Sequence, residues 1–177
     1  MFFTKRKAIL LYLICLIFFF LTYQDVKSSE ITSVTGYAKV TDGDTIKINT
    51  FKIRLNGIDA PEKKQKCKRP YFTIFIFTFF EDYSCGQKST EFLIKKINNQ
   101  KVTCKISGVD YFKRLIGECY KRKTNLNSWM VSNGHAVAFR KYSKKYVSDE
   151  MIAKQEKKGI WIGKFEMPWD YRKSKKY

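Results

Sequence analysis

Histidine is almost absent from this chain of 177 residues, because His135 is the only one. A mechanism that uses one histidine as the acid and another as the base is therefore excluded within a single chain. His135 directly follows Gly134, and we expect it to be a structural residue. Any acid–base chemistry must then come from carboxylates and arginines, assisted by a bound metal.

The sequence also lacks any Cys-X-X-Cys pair, which argues against a zinc site. Of its five cysteines, Cys15 lies in an apolar N-terminal stretch, where we expect an ordinary apolar residue. The other four form an even set, which suggests disulfides if the protein is exported. Cys67 and Cys85 bracket one excursion, and Cys104 and Cys119 flank one predicted hairpin, so we expect these two local bridges. Other pairings and free buried thiols are the alternatives.

The one long apolar run stands at the N-terminus, behind the basic residues Lys5, Arg6 and Lys7. At residues 8–21 it is shorter than the roughly 20 residues that usually span a bilayer. This pattern predicts a signal peptide at residues 1–28, cut after Ser28, and an exported protein that is periplasmic or secreted. The alternative is an uncut segment that anchors the protein in the membrane through residues 8–23.

Acidic residues are scarce: 16 stand against 35 lysines and arginines, which gives a formal net charge of +19. Removal of residues 1–28 takes away four basic residues and one acidic residue, which leaves +16. Such a surface attracts polyanions, and nucleic acid is the natural candidate because each neutralised phosphate releases counterions. Charge alone excludes neither a role in solubility nor adhesion to anionic lipid.

The rest of the chain indicates one domain at residues 34–169, followed by a basic tail at residues 170–177 that we expect to be loose. Strand patterns dominate the first half and suggest a small barrel. Helical spacing and capping residues predict three helices. The predicted strands lie at residues 36–41, 45–49, 51–57, 101–106 and 115–120. The predicted helices lie at residues 87–98, 125–134 and 148–159.

Residues 71–80 form an aromatic and β-branched run without charge, far too short to cross a membrane as a helix. The run fits an extra hairpin strand that covers the core. It also fits an exposed contact for lipid or a partner, or a segment prone to aggregation. The sequence leaves these alternatives open.

Four carboxylates and one arginine lie within a short stretch of strand-like sequence. The acids are Asp42, Asp44, Asp59 and Glu62. Asp42-Gly43 is a strong turn signal that would bring Asp44 near the end of the next strand. Alternation along that strand turns Arg54 away from the core, toward the acids. Oxygen ligands suit a hard cation such as calcium, and a guanidinium suits a phosphate.

A second arginine, Arg114, follows Asp110 at the predicted turn between the last two strands. A turn arginine alone is usually a solvated surface charge. Beside Arg54 it gains importance, because hydrolysis of a phosphodiester needs positive charge at the phosphorus and a group that activates water. Since a second histidine is missing, Glu62 is the best candidate for that base.

Four ordered motifs carry a resemblance. They are Asp42-Gly43-Asp44-Thr45, Arg54 to Glu62, Asp110 to Arg114, and Gly159-Ile160-Trp161. Together they resemble the staphylococcal nuclease-like (thermonuclease) family, in its exported bacterial branch. The resemblance implies a mainly β fold with α (α+β), a five-stranded OB-fold barrel with three helices. It also implies a monomeric, calcium-dependent nuclease that hydrolyses DNA and RNA, prefers single strands and needs no organic cofactor.

By the same resemblance, Asp44 and Asp59 would bind Ca²⁺ through their side chains and Ala60 through its carbonyl, with Asp42 shaping the loop. Glu62 would activate the attacking water, and Arg54 and Arg114 would hold the phosphate. Substrate binding would involve Tyr142 and Asp110, and a second pocket tyrosine of the family corresponds here to Phe139 or Arg140.

The sequence departs from the family pattern before the second arginine. Phe112 and Lys113 replace the usual tyrosine and glycine, and a glycine there often serves a positive φ, so a lysine could redirect Arg114. Ala60 replaces a frequent threonine, which spares a carbonyl ligand. The alternative function is a catalytically weakened OB-fold module that binds nucleic acid, tethered to the membrane. Retention of every acid and both arginines favours the nuclease.

Overall fold

The computed structural model describes residues 31–175. The predicted signal peptide or anchor at residues 1–28 lies outside the described residues. Within residues 31–175, no helix has both the length and the apolar character needed to cross a membrane.

The described part of the chain contains ten strands, four α-helices and one short 3-10 helix. The strands are β1 (Ser33–Asp42), β2 (Thr45–Ile48), β3 (Phe51–Leu55), β4 (Ile58–Asp59), β5 (Cys67–Ile74), β6 (Phe77–Tyr83), β7 (Lys101–Val109), β8 (Leu115–Lys121), β9 (Thr124–Asn125) and β10 (Val137–Ala138). The α-helices are α1 (Cys85–Ile97), α2 (Leu126–Ser132), α3 (Val147–Gln155) and α4 (Pro168–Ser174), and the 3-10 helix is Gly159–Ile162.

Five strands close into a barrel, in the order β1, β2, β3, β8, β7. Four of the five pairings are antiparallel. The fifth is the parallel pairing of β3 with β8, which closes the barrel and sets Arg54 opposite Ile116. The five predicted strands are therefore confirmed, and so is the mainly β fold with an OB-fold barrel.

Alternation along β3 divides the core from the outer surface. Ile53 and Leu55 are fully buried inside the barrel, whereas Lys52 is exposed and Arg54 is only partly covered. Helices α1 and α2 close the core with apolar side chains that belong to the same buried cluster. Because neighbouring residues on a strand face opposite ways, the same pattern that fills the core delivers Arg54 to the outside.

Both predicted disulfides are present. Cys104 and Cys119 face each other across β7 and β8, and Cys67 at the start of β5 is bonded to Cys85 at the start of α1. The second bridge ties an additional two-stranded hairpin, β5 and β6, to the barrel. The aromatic run at residues 71–80 lies in this hairpin, as one alternative predicted. It does not cover the core, since Phe75 at its tip is 95% exposed.

The tail after Trp169 was predicted to be loose, and this was wrong for the residues up to Ser174. Pro168 opens α4, Asp170 lies in its first turn and basic residues lie in its last turn, an arrangement that suits the helix dipole. A helix of seven residues is not stable alone. Contacts hold it, among them Trp169, whose ring stacks on Phe139 with the centroids 5.4 Å apart. The three predicted helices are present, and α4 is a fourth.

The lone histidine is a core residue that should make stability depend on pH. His135 is 9% exposed and stacks on Phe92, and burial lowers its pKa to about 4. In the unfolded chain its pKa is about 6.5, so the unfolded state binds more protons between these values. The contribution of His135 is complete above pH 6.5 and is lost as the pH falls toward 4.

We therefore expect His135 to reduce the free energy of unfolding by up to ~1.4 kcal/mol for each pH unit between pH 6 and 5. Urea titrations of the wild type and a His135→Gln variant at several pH values measure this, because the difference between the two curves isolates the histidine. Parallel pH profiles for the two proteins would contradict the prediction.

Candidate active site

The turn between β1 and β2 positions the first two acids. Gly43 and Asp44 form its loop, and the backbone N–H of Asp44 donates to the carboxylate of Asp42 at 3.2 Å. A Cβ on Gly43 would lie 2.0 Å from the Ser89 hydroxyl oxygen and 2.7 Å from Ala60 Cβ. Only a glycine allows this close approach, and it seats the Asp44 carboxylate beside the chain at Ala60.

Arg54 joins two of the predicted metal ligands. Its Nη1 lies 2.8 Å from Asp44 Oδ1, and its Nη2 lies 2.7 Å from Asp59 Oδ1. The second oxygen of Asp44 accepts the Ala60 N–H at 2.9 Å. The structure thus brings Asp44, Arg54, Asp59 and Ala60 together, as the sequence predicted.

Burial sets the electrostatics of this group. The side chain of Asp44 is 7% exposed and that of Asp59 is fully buried. Burial raises the pKa of the Asp44 carboxyl, and the charge of Arg54 offsets only part of this effect. Burial also works against the charge of Arg54, but the two carboxylates outweigh it and raise the pKa of Arg54. The site therefore keeps a permanent guanidinium close to buried acids.

Arg172 of α4 is a residue that the sequence analysis missed. Its Nη2 donates to Asp59 Oδ2 at 2.7 Å, and its Nη1 donates to Glu62 Oε1 at 2.8 Å and to Asp59 Oδ1 at 3.1 Å. Burial opposes the charge of Arg172, but hydrogen bonds to Asp59 and Glu62 raise its pKa overall. A third arginine thus stands between the predicted general base and a predicted metal ligand. The signal that could have found it is the helix start at Pro168, with an acid in the first turn.

The Arg172 contacts should hold α4 on the barrel. An Arg172→Ala variant should lose ~1 to 2 kcal/mol of stability, less than a fully buried pair because its side chain is 36% exposed. Its C-terminal segment should also become sensitive to limited proteolysis. The matched control is Lys173→Ala on the same helix, whose side chain is 76% exposed and should matter little. Equal behaviour of the two variants would refute the role of Arg172 in docking α4.

The turn before Arg114 keeps its shape without a glycine. Asp110 Oδ1 accepts the backbone N–H groups of Phe112 and Arg114, both at 2.9 Å, and its Oδ2 accepts the Nε–H of Arg114 at 2.7 Å. Burial tends to raise the pKa of Asp110, but the hydrogen bonds from Arg114 lower it overall. Lys113 adopts the positive φ of 59°. The lysine therefore takes the conformation that a glycine would take, and Arg114 stays directed by Asp110.

This geometry changes the role expected of Asp110. The residue lies in the wall of the cleft, as a substrate contact would, but both of its carboxylate oxygens are engaged within its own turn. Its contacts identify it as the residue that orients Arg114.

A glycine at position 113 should stabilise the protein. A left-handed conformation costs an L-residue about 1 kcal/mol or more, so Lys113→Gly should raise the free energy of unfolding by up to ~1 kcal/mol, less the entropy that glycine adds to the unfolded chain. Thermal unfolding measures the change. Lys123→Gly is the control in another exposed turn, where φ is not positive, and it should destabilise. A loss of stability in both variants would contradict the strain at Lys113.

The site opens into a cleft of about 780 Å³. Its wall carries cations, one carboxylate that can act as a base, and aromatic rings. These residues include Arg54, Glu62, Arg114, Arg172, Phe139 and Tyr142. A smaller cavity of about 80 Å³ shares Arg54, Glu62 and Arg114 with the cleft and is otherwise lined by Asp42, Asp44, Ala60 and Pro61. The two predicted arginines and the predicted base thus face one space.

The aromatic side of the cleft settles which residue stands beside Tyr142. Phe139 lies in the cleft wall with its ring edge-on to Tyr142, the centroids 5.0 Å apart. Arg140 instead pairs with the buried carboxylate of Glu150 at 2.6 Å. Phe139 is therefore the aromatic residue beside Tyr142 in the cleft wall, and Arg140 is a structural residue.

The smaller cavity has the donor chemistry of a calcium site. Three carboxylates line it together with backbone and the side chains of Arg54 and Arg114, and Ca²⁺ takes six to eight oxygen ligands of the carboxylate and carbonyl kind. With the side chains in these conformations, residues 31–175 contain no group of three or more Asp, Glu, His or Cys residues that could together coordinate a metal ion. Asp59 does not line this cavity: its side chain is fully buried and its oxygens are held by Arg54 and Arg172. The donors of Asp42, Asp44 and Glu62 fit Ca²⁺, whereas Asp59 would have to exchange a guanidinium partner to reach a bound ion.

Residues 52–163 match the family described as staphylococcal nuclease homologue. The chain belongs to this family. The matched segment includes Arg54, Asp59, Glu62 and Arg114, whereas Asp44 and Arg172 lie outside it. The family membership confirms the resemblance that the sequence motifs indicated.

Individual relatives agree with this assignment. A protein of Rhizobium meliloti (strain 1021) named succinoglycan biosynthesis protein ExoI is 33% identical over 131 residues, covering 72% of this chain and 64% of that protein. A probable staphylococcal-like nuclease, CAN3, of Oryza sativa subsp. japonica is 31% identical over 136 residues, 75% of this chain and 31% of the relative. An uncharacterized endonuclease of Escherichia coli O157:H7 is 31% identical over 145 residues, 76% of this chain and 83% of the relative. The chain thus spans just under two thirds of the first relative and about a third of the second.

Proposed function

We propose that this protein is a nuclease that hydrolyses phosphodiester bonds of DNA and RNA with Ca²⁺ as its cofactor. The observation that carries the proposal is the convergence of Arg54, Arg114 and Glu62 on one cleft, next to a small cavity that Asp42 and Asp44 also line. The names of the nuclease and endonuclease relatives support it.

Asp44, Asp59 and the Ala60 carbonyl would hold the calcium ion, with Asp42 fixing the loop that presents Asp44. When bound, the ion supplies a Lewis acid that polarises a phosphate oxygen. Arg54 cannot turn away from the phosphate site, because two carboxylates hold both of its terminal nitrogens. Arg114 is directed in the same way through its Nε by Asp110.

In the proposed reaction a water molecule attacks the phosphorus and gives up a proton to Glu62, while the bond from phosphorus to the leaving oxygen breaks and that oxygen departs with the bonding electrons and takes up a proton from solvent. The two arginines bind the phosphate oxygens, on which negative charge gathers during attack. Fixed donors of this kind stabilise the transition state more than the ground state, because they do not reorient as the charge develops. Glu62 suits the part of base because its carboxylate is 42% exposed at the cleft, where water can reach it.

The substrate we propose is a single strand that enters the cleft base first. A base can stack on the rings of Tyr142 and Phe139. Such stacking does not depend on the nucleotide sequence, because every base has a π-face. The net charge of +19 favours binding to the phosphate backbone. We expect the active form to be a monomer, since one chain provides all of these groups.

Export is a further part of the proposal. The protein has two disulfides, and disulfides form and persist in oxidising compartments. This supports a periplasmic or secreted enzyme. The sequence of the N-terminus leaves two forms, one cut after Ser28 and one anchored through residues 8–23. N-terminal sequencing of the protein recovered from its host separates them.

The experiment that tests the function compares binding with cleavage on one labelled single-stranded DNA. Fluorescence anisotropy in a chelator measures binding, and gel analysis of the products in excess Ca²⁺ measures hydrolysis. We expect the protein to bind the DNA in both conditions and to cleave it only when Ca²⁺ is present. Binding without cleavage in Ca²⁺ would favour the alternative, a module that binds nucleic acid and has lost its chemistry.

A further inference from the structure

The hairpin of β5 and β6 carries an apolar surface that the proposed reaction does not use. Its outer part, residues 70–80, contains no charged residue and is called the apolar hairpin below. Phe75 and Ile76 form its tip and are 95% and 87% exposed. Within residues 31–175, the wall of the cleft takes no residue from this hairpin.

The pairing of the two strands sorts the side chains onto two faces. Phe72 lies opposite Phe79 and Ile74 lies opposite Phe77, so one face is wholly apolar. Thr73 and Thr78 pair on the other face, where their hydroxyls are 3.3 Å apart. The four apolar side chains remain 42% to 66% exposed. The apolar hairpin is therefore an amphipathic ribbon without a covering partner in the described part of the chain.

Charged side chains gather at the base of the ribbon. Lys68 pairs with Asp82 at 3.0 Å, and Arg69 pairs with Glu81 at 2.6 Å. Three more exposed lysines, Lys63, Lys64 and Lys66, precede β5 in the chain, and exposed Lys164 pairs with Lys68 through the backbone. The Nζ of Lys164 lies 4.7 Å from the centre of the Phe80 ring. An apolar tip followed by a belt of cations is complementary to a bilayer whose headgroups are anionic.

The size of the surface argues against a second copy as the partner. The apolar face and the tip expose roughly 800 Å² together, taking about 200 Å² for a large side chain, which exceeds the largest patch of most monomers. The face alone offers roughly 400 Å², about half of what each partner of a stable interface buries. A face-to-face dimer would also leave the protruding tip in water.

Nucleic acid fits the ribbon less well than lipid does. Ile74 and Ile76 have no ring on which a base can stack, and no cation stands between residues 70 and 80 to meet a phosphate. Lipid needs neither a ring partner nor a charge along the ribbon. It requires apolar side chains at one depth and cations near the headgroups.

We propose that the apolar hairpin docks the protein on an anionic lipid bilayer, with the tip and the apolar face among the upper acyl chains and the basal lysines at the headgroups. Insertion is shallow, because the outer edges of a two-stranded ribbon carry backbone N–H and C=O groups that need water or headgroups as partners. The ribbon thus lies along the interface. This docking is independent of the chemistry in the cleft.

A local probe tests the proposal in the full chain, where the apolar N-terminus could itself bind lipid. A Phe75→Trp variant reports on the tip, and a Tyr37→Trp variant is the control, because Tyr37 is 62% exposed on the barrel strand β1. Each is mixed with vesicles of phosphatidylcholine alone or with phosphatidylglycerol added, made with or without brominated acyl chains. Because the wild type contains three tryptophans, its emission is subtracted from that of each variant to give the emission of the introduced tryptophan.

With anionic vesicles, the emission at position 75 should shift to the blue and be quenched by brominated lipid, whereas the emission at position 37 should not change. Replacing Lys63, Lys64 and Lys66 by Gln should weaken the lipid response roughly fivefold for each lysine removed. An Ile76→Ser change in the Phe75→Trp background should weaken it too, without altering thermal unfolding, since both side chains are exposed.

Three results would overturn the proposal. The first is an unchanged emission at position 75 with anionic vesicles. The second is a blue shift without lipid that grows with protein concentration, which would identify a second copy as the occupant. The third is a blue shift caused by single-stranded DNA in the absence of lipid.

Discussion

An Arg54→Ala variant should lower turnover on the order of 10³-fold, because it removes a fixed donor to the phosphate in the transition state. The same variant should also weaken the fold. Arg54 lies between Asp44 and Asp59, whose side chains are 7% and 0% exposed. Leaving such carboxylates without this partner costs about 3 kcal/mol, although Arg172 still pairs with Asp59. Steady-state kinetics and urea unfolding measure the two effects.

Two other cations of the cleft provide the comparison for Arg54. Arg114→Ala should lower turnover to a similar extent but cost less stability, on the order of 1 kcal/mol, because Asp110 is 15% exposed and still accepts two backbone N–H groups. Lys52→Ala should change neither quantity by much, since Lys52 is an exposed residue of the same strand and the same cleft. If Arg54→Ala cleaved DNA as fast as Lys52→Ala, Arg54 would have no place in the chemistry.

The barrel and the acid cluster could be predicted because their signals are local. Alternation along β3 determined both the buried side chains and the outward direction of Arg54. Asp42-Gly43 marked the hairpin turn, and the close approach of Gly43 to Ser89 shows why that position holds glycine. The disulfides followed from spacing for the same reason, since each joins neighbouring elements.

The helix that carries Arg172 has signals in the sequence, but the contacts of Arg172 could not be predicted, because they depend on a distant partner. Asp59 and Arg172 are 113 residues apart, and neither the basic tail nor the acid cluster indicates the other. The helix that carries Arg172 is too short to form without such contacts. Asp170 in the first turn and the basic residues in the last turn favour a helix, but the basic composition of the tail was interpreted as a sign of a loose segment.

The apolar hairpin shows a different limit of sequence reasoning. Strand propensity offered, as one of several alternatives, an extra hairpin strand at residues 71–80 that covers the core; the hairpin is present, but it does not cover the core. Whether a strand faces the core depends on the elements that pack against it, and here none does within the described chain. The turn at Lys113 is a milder case, since a residue without glycine's freedom still adopts a positive φ when Asp110 binds the turn from within.

A Glu62→Gln variant should lose turnover by on the order of 10² to 10⁴-fold, because an amide cannot accept a proton from the attacking water. The change keeps the size of the side chain and one oxygen that can accept a hydrogen bond from Arg172. Stability and the affinity for single-stranded DNA should therefore remain close to those of the wild type. Arg172→Ala should differ from Glu62→Gln in this respect, because it should lower the free energy of unfolding.

The measurement that tests the central claim most directly is single-turnover cleavage of single-stranded DNA by the wild type and by Glu62→Gln. Each protein is saturated with DNA and assayed once with Ca²⁺ and once with excess chelator. We expect rapid cleavage by the wild type only when Ca²⁺ is present, and little cleavage by Glu62→Gln in either condition. Equal cleavage rates in all of these reactions would contradict a mechanism based on calcium and a carboxylate base.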